Sequence, residues 1–182
     1  MKFAAPLLLI ASAALFAEQP VFQSDGQLQR PANYREWVYL SSGLGMQYGD
    51  AAQGPQTFTN VFAEPSAYRE FLKSGKWPEG TMLAMEVRKS ETKGSINKGG
   101  SFQTDLLALE VTVKDSKRFK ADGWDYFGFG PKVQTAKAIG QQGGCNACHN
   151  KNAAVENTFV QFYPSLLEVA KAKGTVKKTA AE

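Results

Sequence analysis

The sequence predicts an α+β fold in which a mainly antiparallel β-sheet carries a few flanking helices. Three observations lead to this prediction. Several short segments alternate apolar and polar residues with the period of two that a half-buried strand shows. Glycine and proline separate these segments at short intervals. Two further segments have the apolar spacing and the end signals of short amphipathic helices.

The first half of the chain predicts one ambiguous element, one strand and one helix. Residues 34–40 (YREWVYL) end in alternating aromatics before a glycine turn, and they fit a short helix or a first strand. Residues 57–62 (TFTNVF) are β-branched and aromatic with clear alternation, which predicts a strand. Residues 65–75 begin with Pro65, present apolar residues on one face and end at Gly75. This pattern predicts a short amphipathic helix.

The second half predicts the long strands of the sheet. Residues 81–88 (TMLAMEVR) have helical propensity, but the neighbouring turn signals favour a strand. A glycine-rich loop over residues 93–100 leads to the longest strand candidate, residues 102–113. Residues 123–129 alternate large rings with small or polar residues, which predicts another strand of the same sheet. Residues 164–173 are predicted to form a terminal helix.

The segment Cys145-Asn146-Ala147-Cys148-His149 contains both cysteines and the only histidine of the chain. A C-x-x-C-H motif is typical of c-type haem attachment. Its two thiols bond to the vinyl groups of one porphyrin, and the imidazole binds the iron. The motif therefore predicts one covalent haem c per chain, attached near the C-terminus through Cys145 and Cys148, with His149 as the metal ligand.

Three other uses of this motif are a redox dithiol, a zinc knuckle and a structural disulfide. A tetrahedral zinc site needs four ligands, and the motif offers three. A thioredoxin-type dithiol usually lies early in a βαβ unit. The residues that follow His149 leave no room for such a unit.

The second axial ligand of the iron has no obvious donor in the sequence. No second histidine exists, and Met46, Met82 and Met85 are more typical of core or pocket walls. We therefore expect five-coordinate iron, or six-coordinate iron with water or an unusual ligand such as lysine. An open position binds small molecules such as NO, CO, hydroxylamine or peroxide, whereas two strong protein ligands favour electron transfer.

The N-terminus has the pattern of an export signal. Lys2 precedes an apolar stretch over residues 3–16, and small residues before Glu18 offer cleavage points. A membrane anchor needs about 20 consecutive apolar residues, and this stretch is shorter. We expect a signal peptide over residues 1–17, with an approximate cleavage site, and a single domain over residues 18–182. Covalent haem attachment fits export to the bacterial periplasm.

The composition supports one domain and gives no sign of nucleic-acid binding. Hydrophobic residues make up 43% of the 182 residues, which is enough for a sizeable core. The formal net charge of +4 is spread along the chain rather than concentrated in one block. No membrane span is expected after the signal is removed.

Eight short segments lie in order along most of the chain: residues 36–38 (EWV), 58–62 (FTNVF), 65–68 (PSAY), 75–78 (GKWP), 113–119 (VKDSKRF), 123–127 (GWDYF), 145–149 (CNACH) and 159–164 (FVQFYP). In these segments the chain resembles the cytochrome P-460 family, which includes the β-sheet cytochromes c-prime, called c-prime-beta. The resemblance implies a mainly antiparallel β fold, a homodimer, a C-terminal c-haem and a proximal histidine with an accessible distal side.

The resemblance also implies two kinds of distal chemistry. In the hydroxylamine-oxidising branch a lysine is crosslinked to the porphyrin and an acidic residue assists proton transfer. In the c-prime-beta branch apolar aromatic residues cap the iron, and NO binding or electron transfer is inferred. Residues 81–88, where the lysine is expected, contain none, and Lys89, Lys93 and Lys98 are the nearest. The crosslink is therefore in doubt.

The candidate distal residues lie on the two central strands. Glu86 and Arg88 share a face of one strand, and Glu110 belongs to the other. They are predicted either to move protons at the haem or to form a salt bridge at the surface or sheet edge. The aromatic candidates for an apolar cap, which are otherwise core residues, are Phe58, Phe62, Phe102, Phe127 and Phe129.

Two functions follow from these expectations. One is a haem oxidoreductase that oxidises hydroxylamine or converts another small nitrogen species. The other is a non-catalytic cytochrome that binds NO or transfers single electrons, with a redox protein as partner. The sequence leaves open whether the protein is an enzyme.

Overall fold

The structure is a computed structural model that describes residues 18–46, 55–94, 96, 98–140 and 143–178. Its strands are β1 (Leu28–Gln29), β2 (Val38–Leu44), β3 (Thr57–Ala63), β4 (Met82–Glu91), β5 (Phe102–Lys114), β6 (Trp124–Phe129) and β7 (Thr135–Ala136). Its α-helices are α1 (Pro65–Ser74), α2 (Gly144–Asn152) and α3 (Pro164–Ala172). Tyr34–Glu36 and Val160–Phe162 form short 3-10 turns.

The main feature is a five-stranded antiparallel sheet with the strand order β2-β3-β4-β5-β6. Strands β1 and β7 form a separate two-stranded antiparallel ribbon. The predicted α+β class with a mainly antiparallel sheet is therefore confirmed. The ambiguous residues 34–40 combine both alternatives, because the 3-10 turn is followed directly by β2. The predicted signal peptide, residues 1–17, lies outside the described residues.

Both faces of the five-stranded sheet are covered. On one face Leu109, Val111 and Val113 of β5 pack in a core with residues of β6 and the N-terminal segment. On the other face Leu83 of β4 and Trp124 of β6 pack with residues of α1 and α3. Because side chains alternate along a strand, each residue of the central strands belongs to one of these two layers.

Helix α1 shows how local sequence signals begin and end an element. The Glu64 carboxylate accepts hydrogen bonds from the backbone N–H groups of Ser66 and Ala67, and proline occupies the first turn. Gly75 ends the helix in the left-handed conformation with φ 71°, as the sequence predicts. Phe71 of this helix is fully buried, and its ring centroid lies 4.4 Å from that of Trp77.

A space remains between helix α2 and the face of the sheet that β3, β4, β5 and β6 present to it. Helix α2 packs against β6, and the segment after it runs back under the sheet to α3. None of the helices in the described ranges is long and apolar enough to cross a membrane.

Candidate haem-binding site

A cavity of about 570 Å³ lies between the sheet and helix α2 with the segment that follows it. Val61, Leu83, Met85 and Glu110 line the cavity from the sheet. Cys145, Cys148, His149 and Phe159 line it from the opposite side. The volume is within the range of about 300–1,000 Å³ that is usual for cofactor and ligand pockets.

Helix α2 positions the complete C-x-x-C-H motif on this cavity. Residues three and four positions apart in a helix lie on one side of it, so Cys145, Cys148 and His149 share a face. The two thiols are free and half-buried rather than joined in a disulfide. Burial raises the pKa of the Cys145 thiol, and the nearby negative charge of Glu110 adds to this effect. Within the described residues, no group of three His, Cys, Asp or Glu side chains is arranged to hold a metal ion.

His149 is held in one orientation by a hydrogen bond and two rings. Its Nδ1 lies 2.8 Å from the backbone oxygen of Asn157, and a carbonyl oxygen only accepts, so Nδ1 carries the proton. The ring centroids of Tyr126 and Phe159 each lie 4.4 Å from that of His149. Burial lowers the pKa of His149, which favours the neutral imidazole. Nε2 is therefore the nitrogen whose lone pair is available to a metal.

The carbonyl that orients His149 belongs to a tight turn over residues 155–158. The backbone N–H of Thr158 donates to the oxygen of Val155 at 2.9 Å, and the return bond from Val155 to Thr158 is 3.3 Å. Glu156 in this turn has φ 50°, a left-handed conformation that residues other than glycine rarely adopt. The Asn157 side chain donates to Asp122 Oδ2 at 2.8 Å. These bonds fix the acceptor of His149.

Lys114 and Trp77 hold the same turn from the side of the sheet. The Lys114 ammonium lies 2.7 Å from Glu156 Oε1 and donates to the Trp77 carbonyl oxygen at 2.7 Å. The Trp77 indole N–H donates to Thr158 Oγ1 at 2.8 Å. The sequence does not predict this support. Asn157 is a residue type that favours turns, but no sequence signal marks Glu156 for a left-handed conformation.

Glu110 is the distal candidate that the structure brings to the cavity. It lies on β5 opposite Met85 of β4 and Gly128 of β6, and its side chain lines the cavity wall. Desolvation by the surrounding protein raises the pKa of its carboxyl above the ordinary value. A carboxyl with a raised pKa next to a ligand pocket is suited to hold and release a proton.

Glu86 and Arg88 lie on the other face of the sheet, so their position does not support the distal assignment. Alternation along β4 turns Leu83 and Met85 towards the cavity and turns Glu86 and Arg88 away from it. Glu86 is 4% exposed and accepts hydrogen bonds from the Tyr34 hydroxyl at 2.6 Å, Arg35 Nε at 2.8 Å and Arg88 Nε at 2.7 Å. The predicted alternative, a salt bridge, describes them better, although this one is buried.

The five predicted cap phenylalanines do not supply the rings of the cavity. The Phe62 ring packs on Tyr34, and Phe102 is 38% exposed. Phe127 borders the cavity, but its ring packs with Phe22 and Phe119 in the core of the other face, which also contains Phe129. Phe58 does not line the cavity. The aromatic rings of the cavity come instead from Tyr126, Phe159 and Tyr163.

The methionine and lysine candidates for the iron also differ in whether they line the cavity. Met85 lines the cavity, whereas Met82 is buried in the core of the opposite face and Met46 is 52% exposed. The lining of the cavity contains no lysine in the part of the chain that the structure describes. The residues that are present fit a haem: two thiols, one neutral imidazole with a free Nε2, and a largely apolar cavity of sufficient volume.

Comparison with known protein families gives one match. The family model described as Cytochrome P460 matches residues 31–160 of the chain. The matched range contains the five-stranded sheet and the whole motif of α2. A search of curated proteins found none that matches the chain.

Proposed function

The chain belongs to the cytochrome P460 family, and on this premise we propose that it is a monohaem c-type cytochrome that binds small nitrogen species such as NO and hydroxylamine. Membership of the family implies a haem cofactor. When bound, the haem would supply a redox-active iron that can bind a small ligand. The observation that carries the proposal is the arrangement of the C-x-x-C-H motif and a single oriented imidazole on one cavity.

Cys145 and Cys148 hold the haem through thioether bonds, and His149 ligates the iron through Nε2. The hydrogen bond from Nδ1 to the Asn157 carbonyl increases the basicity of the ligating nitrogen and prevents rotation of the ring. Tyr126 and Phe159 restrict the imidazole from both sides. This support would hold His149 firmly as a ligand of the haem iron.

Glu110 is the residue of the cavity that gives or takes a proton. It is the one carboxylic acid among the described residues that line the cavity. Val61, Leu83 and Met85 give the same wall of the cavity an apolar surface. In an oxidation of hydroxylamine, the Glu110 carboxylate would accept protons from the substrate in the cavity, and the redox protein partner would accept the electrons through the haem.

A second function is non-catalytic NO binding or electron transfer of the c-prime-beta type. The apolar lining on the sheet side and the lack of a lysine among the described lining residues favour this alternative. Without a crosslink, the ferrous protein has an ordinary high-spin c-haem spectrum. A strongly red-shifted Soret band would instead indicate a crosslinked chromophore.

Haem extraction and three variants test the proposal. Haem that remains with the protein in acidified organic solvent is covalently attached, and haem that is extracted contradicts the thioether bonds. His149→Ala removes the proximal ligand, and an unchanged ligand-field spectrum in this variant contradicts the assignment. Glu110→Gln lowers hydroxylamine turnover by about a hundred-fold or more if Glu110 is the base. The matched control is Glu70→Gln on the exposed side of α1.

The measured turnover distinguishes the two functions. A wild-type protein that binds NO but does not turn over hydroxylamine supports the non-catalytic function. Turnover that is equal in wild-type protein and Glu110→Gln contradicts the role of Glu110.

The proposal includes the setting in which the protein acts. Export to the bacterial periplasm is supported by the N-terminal sequence and by the need to attach haem to thiols outside the cytoplasm. A homodimer and a redox protein partner are supported by the resemblance to the family. Sedimentation of the purified haem protein tests the dimer, and fractionation of the host cell tests export.

A further inference from the structure

Glu64 carries a buried carboxylate without a cationic side chain as its partner. It is 4% exposed. Its Oε2 accepts hydrogen bonds from the backbone N–H groups of Ser66 at 2.9 Å and Ala67 at 2.8 Å, and from the Ser66 hydroxyl. Its Oε1 lies 3.3 Å from the backbone nitrogen of Glu18. Within the described ranges, no Lys, Arg or His side chain forms an ion pair with Glu64.

A buried carboxylate needs more compensation than these contacts give. Removing a carboxylate from water costs several kcal/mol unless a counter-charge or a full set of hydrogen bonds replaces the solvent. The first turn of α1 supplies partial positive charge to Oε2. Among the described residues, Oε1 has a single hydrogen-bond contact, the one with Glu18, which is long.

Residue 18 is fixed by more than this one contact. The Glu18 carboxylate accepts a hydrogen bond from the indole N–H of Trp37 at 2.9 Å. Trp37 is itself 6% exposed. The nitrogen of residue 18 is therefore held near Glu64 by an anchored side chain.

We propose that cleavage after Ala17 supplies the missing counter-charge of Glu64. Hydrolysis of the Ala17–Glu18 peptide bond consumes one water and leaves a carboxylate on Ala17 and an ammonium on Glu18. That ammonium lies at the position of the Glu18 nitrogen, within ion-pair distance of Glu64 Oε1. Processing thereby fastens the new N-terminus to the start of α1. This inference rests on one part of the proposed function, the export of the protein, and not on the role of the haem.

Cleavage at another residue does not produce this pair. In an uncleaved chain, or in one cut nearer its start, residue 18 contributes a neutral amide N–H. A cut after Glu18 removes both the nitrogen and the carboxylate that anchors it to Trp37. The structure therefore assigns the position of the cleavage, which the sequence pattern leaves approximate.

The first experiment determines the N-terminus of the exported haem protein. The full chain is produced in a bacterial host that attaches haem c, and the purified protein is examined by intact mass and N-terminal sequencing. The expected first residue is Glu18. Any other first residue overturns the inference.

The second experiment is a double-mutant cycle on the same exported protein. One change is Glu64→Gln, which keeps an oxygen that caps α1. The other inserts Gly-Ser between residues 17 and 18, so that the processed chain begins two residues earlier and residue 18 carries an amide; mass spectrometry verifies this start. Thermal and denaturant unfolding are measured for all four proteins.

The effect of Glu64→Gln on unfolding is expected to depend strongly on which residue begins the processed chain. In the protein that begins at Glu18, Glu64→Gln raises the unfolding equilibrium constant about ten-fold to a hundred-fold, as for loss of a hydrogen bond between charged groups. In the extended protein its effect is several-fold smaller. Equal effects in both backgrounds overturn the inference. Glu70→Gln on the same helix is the matched control and has the same small effect in both. The haem spectrum reports on the proposed function separately.

Discussion

Substitutions of Glu156 separate two contributions to the turn that holds His149. The residue has φ 50°, and its carboxylate pairs with Lys114. Glu156→Ala removes the pair and keeps a side chain at the left-handed position. Glu156→Gly removes the pair and also relieves the backbone. The difference between these two variants therefore measures the backbone strain less the added freedom of glycine in the unfolded chain.

The magnitude of each contribution follows from the geometry. A residue with a Cβ in the left-handed region costs about 1–2 kcal/mol, and the extra freedom of glycine in the unfolded chain offsets about 0.4–1 kcal/mol of the relief. Glycine is therefore expected to be more stable than alanine at this position by roughly 1 kcal/mol.

Loss of the ion pair between Glu156 and Lys114 lowers the free energy of unfolding of both variants by the same amount. Glu156 and Lys114 are 26% and 14% exposed, so water replaces part of the interaction. Lys114 also keeps its hydrogen bond to the Trp77 carbonyl. The loss is placed at the lower end of the range for bonds between charged groups, about 1.5 kcal/mol.

Thermal unfolding of the haem protein measures these differences. A change of 1 kcal/mol shifts the melting temperature of a domain of this size by about 2–4 °C. We expect Glu156→Ala to melt about 3–6 °C below wild type and Glu156→Gly to recover about two thirds of that loss. Glu168→Ala is the control, because its pair with Lys171 is highly exposed and contributes within about 0.5 kcal/mol. If Glu156→Gly is no more stable than Glu156→Ala, the backbone at this position is not strained.

Three further predictions concern other parts of the fold. Burial raises the pKa of Glu110, so the penalty for its charge is absent below about pH 4 and grows as the pH rises; Glu110→Gln should therefore melt higher than wild type at neutral pH but not at pH 4. Glu86→Leu leaves Arg88 unpaired and should cost about 3–5 kcal/mol without changing the haem spectrum, because Glu86 lies across the sheet; a changed spectrum contradicts this separation. Phe71→Ala should cost about 3–5 kcal/mol in denaturant unfolding, because its ring is fully buried, and a loss below 1 kcal/mol contradicts this.

The sheet was predictable because its strands carry a period of two and its turns carry glycine. Which side of its central strands lines the cavity was not predictable. In β4 the charged Glu86 is buried and the apolar Met85 only half-buried, so the polarity of the residues does not show which side of the strand lines the cavity. Only the packing of α2 over one face decides that Glu110 lines the cavity and Glu86 does not.

Helix α2 and the turn after it were not predictable for a different reason. The helix contains Gly144 and several asparagines, residues with low helix propensity. Its sequence identified the haem motif through chemistry rather than through periodicity. Glu156 takes a left-handed conformation that glycine would adopt more readily, and Lys114 and Trp77, distant in sequence, hold its carboxylate there.

Glu64 and Glu86 are buried, whereas Glu110 is exposed to the cavity, and the compensation of these three carboxylates indicates which of them serves function. Glu86 is neutralised by two arginines, and Glu64 has the first turn of α1 and the nitrogen of residue 18. Glu110 is also desolvated, but it has no hydrogen-bond or ion-pair partner within the described ranges, and desolvation is what raises its pKa. An apolar residue of similar size at this position would remove the desolvation cost. A carboxyl that the fold does not need, next to the motif that binds haem, is best explained by a role in moving protons there.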